Sequence, residues 1–95
     1  MQLQIITPEA KIFSGEVDAV QFPGLDGSFQ VLDNHAAIIS ALVKGVVKAN
    51  LKNAFDSADK SDLVQIDDKN SKLIRVDIKG GVVEMLNNKV IVLAE

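Results

Sequence analysis

Apolar side chains fall on every second residue in short runs along this chain, and glycine, proline or asparagine cuts each run before it can lengthen. A period of two puts successive side chains on opposite faces of an extended strand, whereas a helix needs apolar residues three and four apart. The clearest run is Lys72 to Ile78, where Ile74, Val76 and Ile78 face inward and Arg75 and Asp77 outward. Twelve Val and nine Ile among 95 residues strengthen the reading, because β-branched side chains are stiff at χ1 and pack well on a pleated surface.

The other runs follow in order. Gln2 to Thr7 alternates and ends at Pro8, which cannot donate to a ladder. Phe13-Ser14-Gly15 reads as a short edge or turn, and Glu16 to Phe22 as a second long strand closed by Pro23-Gly24. Its alternation slips at Ala19-Val20, as a bulge or a crossing between two sheets requires. Asp26-Gly27 supplies positive φ for a tight turn into Ser28 to Leu32. After the polar link Asp33-Asn34-His35, the runs Ile38 to Val43 and Gly45 to Leu51 read as two substantially buried strands around a turn at Lys44-Gly45. Asp56 to Lys60 is polar and separates them from Leu63 to Asp67, with one helical turn through Leu51, Phe55 and Ala58 as the alternative. Residues 52–71 are thus expected to form an extended polar hairpin. Gly80-Gly81 turns the chain, and Val82 to Leu86 pairs with Val90 to Ala94 across Asn87-Asn88.

About eight to ten short strands without a convincing helix predict an all-β fold, an antiparallel β-sandwich or flattened barrel. At 95 residues, the chain is expected to be one domain spanning 1–95 with a single core.

Composition removes several functions. Net charge is -3 and the basic residues are scattered singly from Lys11 to Lys89, so a nucleic-acid partner, which needs clustered cations, is not expected. Without cysteine there is no disulfide, thiolate metal site or thiol chemistry. The longest nearly apolar run, Ala36 to Val43, is too short to span a bilayer, and the N-terminus lacks a basic signal region, so a soluble protein is expected.

His35 is the only imidazole. Asp33 and Ser40 lie near enough in sequence to be named with it as acid and nucleophile, but no nucleophile elbow supports a triad. The alternatives are a loop histidine that caps backbone groups and a surface contact residue. The acidic residues Asp56, Asp59, Asp62, Asp67 and Asp68 lack the glycine and terminal Glu of a calcium loop, and a solvated hairpin tip is the expected reading. Gly24-Leu25-Asp26-Gly27 is a turn and not a phosphate cradle. No catalytic residue, metal site or cofactor is expected.

Three segments, in order, resemble the N-terminal β-sandwich domain of the epsilon subunit of the rotary F-type ATP synthase. They are Leu3 to Glu9 leading to Phe13-Ser14-Gly15-Glu16-Val17, then Gly24-Leu25-Asp26-Gly27-Ser28-Phe29-Gln30-Val31-Leu32 leading to His35-Ala36, and finally Gly80 to Met85 followed by Asn88 to Ala94. The resemblance implies a non-catalytic central-stalk subunit with two partners, the gamma subunit and the membrane c-ring. It couples them during proton-driven ATP synthesis at the cytoplasmic face of a bacterial inner membrane. Residues matching the family's ring-facing motif are Ser28, Asn34, His35 and Ala36, and those matching the gamma-side strand are Ile38, Ile39, Ser40 and Leu42. Many relatives have an acid in place of Ser28 and Gly-His-Ala-Pro in place of Asn34-His35-Ala36-Ala37. Typical members continue into a helical hairpin, whereas this sequence stops at Glu95, so inhibition by a hairpin is not expected. A free-standing β-sandwich that binds a small ligand or peptide is the alternative reading, and an exposed apolar strip near Ile38 to Leu42 would favour a docking surface.

Overall fold

The computed structural model describes residues 1–55 and 63–95. Nine strands are formed there: β1 Gln2–Ile6, β2 Lys11–Gly24, β3 Gly27–Leu32, β4 Ile38–Leu42, β5 Gly45–Leu51, β6 Val64–Ile66, β7 Leu73–Ile78, β8 Gly81–Leu86 and β9 Lys89–Ala94. None of the described residues is helical, so among them no helix is long and apolar enough to cross a membrane. The separator Asp56 to Lys60, Ala58 of the alternative helical turn and the acidic residues Asp56, Asp59 and Asp62 lie outside the described residues, whereas Leu51 ends β5 and Phe55 is not helical.

The 14-residue strand β2 organises the rest. Its first half pairs with β1, from Ile6 opposite Lys11 to Gln2 opposite Glu16. The second half pairs with β5 on one side and β3 on the other. One layer is therefore the start of β2 with β1, β9, β8 and β4, and the other is the end of β2 with β3, β5, β7 and β6. A bridge between Gly24 and Leu42 brings β4 back to β2, flattening the whole into a barrel-like sandwich.

The expected slip in β2 is real: its register against β5 shifts between Val17 and Ala19. Val17, Val20 and Phe22 all enter the core, so the bulge lets residues three apart share the inward face where the strand passes between layers, while Ala19 stands in the outward row between Leu32 and Asn50. The sequence reading of Phe13-Ser14-Gly15 as a separate edge or turn is corrected, since β1 extends the ladder across all three residues. Gly15 leaves room for the Phe13 ring, whose Cζ would lie 2.9 Å from an added Cβ.

Alternation otherwise predicts the core well. Leu3 and Ile5 in β1, Ile74 and Val76 in β7, Val83 and Met85 in β8, and Val90 and Val92 in β9 are buried. The Phe22 and Phe29 rings meet at 5.5 Å between centroids, and Phe13 stacks on Phe55 at 5.7 Å.

Three expectations are corrected. First, β4 is not substantially buried: only Leu42 enters the core, and Ile39 is 74% exposed because its face looks away from the second layer. Secondly, the ladder is not wholly antiparallel, since β1 runs parallel to β9. A parallel neighbour usually demands a long crossover, but the first and last strands need no direct connection and can lie side by side freely. Thirdly, Leu25 and Asp26 form the two-residue turn between β2 and β3, and the positive φ belongs to Gly27 alone, at 118°. Asn87 and Asn88, at φ 52° and 61°, do form the expected left-handed pair between β8 and β9.

Gly81 combines two demands. Its φ is 151°, and an added Cβ would run into the Leu93 carbonyl oxygen across the β8–β9 ladder. Gly27, at φ 118°, has nothing within 4 Å of such a Cβ. Gly27→Ala should therefore lose roughly 1 kcal/mol, from backbone strain alone, and Gly81→Ala about 2–4 kcal/mol, because a clash with backbone is added. Urea unfolding of the two variants checks the difference, and equal losses would contradict the close approach.

Candidate functional site

The β3–β4 loop is held at several points. Asp33 N–H donates to the Asp18 carbonyl at 3.2 Å, and His35 N–H to the Leu32 carbonyl at 3.1 Å. The Met1 α-ammonium lies 2.8 Å from Asp33 Oδ1 and 3.3 Å from Glu16 Oε2. Asn88, in the β8–β9 turn, accepts from Asn34 N–H through Oδ1 at 2.8 Å and donates from Nδ2 to Asp33 Oδ1 at 3.0 Å. The loop, the chain's first residue and the β8–β9 turn thus form one polar rim.

His35 is exposed on this rim, with Nδ1 2.8 Å from its neighbour's carbonyl, Ala36 O. A carbonyl can only accept, so the proton sits on Nδ1 in this arrangement. Asp33 is committed to Met1 and Asn88, and Ser40 Oγ donates to the Ala41 carbonyl at 3.3 Å. Neither side chain is bonded to His35, and no acid–base–nucleophile relay is assembled. Among the described residues no three His, Asp or Glu side chains cluster as metal ligands. Asp67 instead accepts from Lys69 N–H at 3.0 Å and from Arg75 Nη1 at 3.1 Å, which together hold its carboxyl below the usual range.

Asn34, His35 and Ala36 are all exposed and contiguous. Ser28 is exposed too but lies near the start of β3, opposite Pro23. The rise from Ser28 to Leu32 alone is about 13 Å at ~3.3 Å per residue, so the four residues do not form one patch. Ser28 instead borders a shallow groove with Lys44, Lys48 and Arg75.

On β4, Ile39 points outward, Ile38 and Ser40 are half-buried, and Leu42 is in the core at 6% exposure. Leu42 is therefore corrected as a surface contact; it supports the strand from beneath. Ile39 is not isolated. Ala41 stands opposite Val82, Val82 opposite Leu93, and Leu93 opposite Ile6, a row of outward apolar residues across four strands. Val82 is 41% and Leu93 57% exposed. Sequence reasoning missed Val82 and Leu93, although the out-facing positions of two apolar strands were there to be read.

The class the fold defines is a β-sandwich with an apolar row on one outer face and a braced polar rim. Residues 1–60 match the β-sandwich domain of the ATP synthase delta/epsilon chain family. The chain is 38% identical over 94 residues to the ATP synthase epsilon chain of Chlorobium limicola, covering 99% of this chain and 88% of that one. It is 34% identical over 95 residues to the Campylobacter curvus epsilon chain, of which it spans 60%. A solved structure of the Tetrahymena thermophila mitochondrial ATP synthase central stalk and c-ring shares the fold, with a TM-score of 0.68 at 14% identity over 99% of this chain and 62% of that one. The chain belongs to the ATP synthase epsilon chain family.

The rim's charges give it a pH signature. The Met1 ammonium holds the Asp33 carboxyl below its ordinary range, helped by the Asn88 amide. Asp33 in turn raises the Met1 amine, against a smaller lowering by burial and with Glu16 adding to the rise. A depressed carboxyl contributes stability that is lost as pH falls below about 4, and a raised amine contributes stability that is lost as pH climbs above about 8. Between those limits both contributions are present, although the exposed setting keeps them small. The stability difference between parent and Asp33→Asn, followed by urea unfolding across pH, should be greatest on this plateau and shrink on both sides. A difference independent of pH would exclude the pairing.

Proposed function

We propose that this chain is a non-catalytic rotor subunit of an ATP synthase, fastening the gamma subunit to the membrane c-ring so that torque from ion flow reaches the catalytic head. The observation that carries the reading is membership of the epsilon chain family across nearly the whole sequence. The chain is then a peripheral part of a membrane complex, at the cytoplasmic face of a bacterial inner membrane.

The surfaces support a division of labour. A strip containing Ile39, Val82 and Leu93 suits a permanent apolar contact, because monomers seldom leave such strips bare. On this reading Ile39 carries the gamma-side contact, Ile38 and Ser40 border it, and Leu42 props it from the core. Asn34, His35 and Ala36 present one polar contact toward the ring, and Ser28 a second, separated from the first by most of β3. A free-standing ligand-binding module has no comparable observation in its favour.

Ile39→Asp should leave unfolding within about 0.5 kcal/mol of the parent, since the side chain is exposed, yet weaken copurification with gamma by roughly tenfold or more. His35→Ala should likewise keep the thermal transition while weakening reconstitution with gamma and the ring. Parental affinity in both variants would overturn the assignment of these contacts. Failure of the parent to bind either partner would overturn the rotor reading itself.

A further inference from the structure

Asn88 occupies a position that its own turn would fill better with glycine. It is the second central residue of a two-residue hairpin turn, at φ 61° after Asn87 at 52°. Such type I′ turns favour Asn-Gly, because the left-handed conformation strains any residue with a Cβ. The Asn88 side chain is nevertheless used at both ends: Oδ1 accepts from Asn34 N–H at 2.8 Å, and Nδ2 donates to Asp33 Oδ1 at 3.0 Å. Its backbone carbonyl accepts from Gln2 N–H at 3.1 Å. One half-buried residue thereby joins the start of β1, the β3–β4 loop and the β8–β9 turn.

Few side chains could take this place. The amide supplies an acceptor and a donor at once. An aspartate could still accept from Asn34 but would set a second carboxylate against Asp33. Glycine would relax the turn and leave both loop contacts unmade. Asn34 itself is left-handed, at φ 65°, so its N–H bond to Asn88 fixes a loop residue whose backbone has other conformations open to it.

We propose that Asn88 is a positioning residue: it clamps the Asp33–Ala36 loop so that His35 is presented in one geometry before assembly. The proposal rests on the rotor reading only in taking this loop as a partner contact. Ordering a loop beforehand removes that entropic cost from binding. The other tethers, from His35 N–H to Leu32, from Asp33 N–H to Asp18 and from Met1 to Asp33, hold the loop's root, but none holds the Asn34 amide.

The test is Asn88→Gly in the full chain. Amide hydrogen exchange at Asn34, read by NMR, should accelerate about tenfold or more once its acceptor is gone, while the thermal midpoint holds or rises because the turn is eased. Reconstitution with gamma and the c-ring should weaken about three- to tenfold, through loss of preorganisation. Unchanged exchange at Asn34 would overturn the clamp. Faster exchange with parental assembly would overturn the link between loop order and docking. If the parent itself did not assemble, the rotor reading would fall, and the exchange measurement alone would still decide whether Asn88 positions the loop.

Discussion

Everything in this sandwich hangs on the passage of β2 from one layer to the other. A strand of ordinary length could serve only one sheet, and the two layers would then be held by side-chain packing alone. β2 runs for 14 residues and pairs with β1 before the register shift and with β5 and β3 after it. The extra residue at the shift lets Val17 and Val20 both point inward, so the core is continuous where the strand changes partner. Main-chain hydrogen bonds therefore cross from layer to layer. They also tie the start of the β3–β4 connection, where Asp33 bonds to β2 at Asp18, while the far end of β4 returns to β2 at Gly24.

Period-two patterning was most legible where each strand has one buried and one open face, as in β7, β8 and β9, and the Asn87-Asn88 turn could be placed from its chemistry alone. It was least legible where tertiary pairing decides. Phe13-Ser14-Gly15 reads locally as a break, and becomes strand only because β1 lies opposite. The β4 run is apolar on both faces, which suggests burial, yet half of it is held bare. The parallel alignment of β1 with β9 involves the two strands farthest apart in sequence, and no local signal encodes it.

The site divides in the same way. That His35 sits in an exposed polar loop was readable from Asp33-Asn34-His35 and its neighbours. That Ser28 lies most of a strand away from it was not, because a motif continuous in sequence says nothing about whether its residues share a surface. The bracing of the loop was also hidden, since Asn34 and Asn88 are separated by 54 positions.

Two rows, one on each outer face, carry opposite chemistry. On the β4–β8–β9–β1 face the outward row is Ala41, Val82, Leu93 and Ile6. On the other face the matching row is Gln21, Lys48, Arg75 and Gln65, polar throughout. Lys48 stands directly opposite Arg75, a like-charge pair that costs stability unless something takes up the charge. Asp67 does so in part through its bond to Arg75, and water can solvate Lys48. Burying that second row would strip Lys48 of water, whereas covering the first row removes only apolar side chains from solvent; the polar groups on that face, Glu84, Lys89, Gln2 and Gln4, lie in the rows beside it. The asymmetry thus lies between two rows rather than two whole faces: desolvation costs less along Ala41, Val82, Leu93 and Ile6 than along Gln21, Lys48, Arg75 and Gln65.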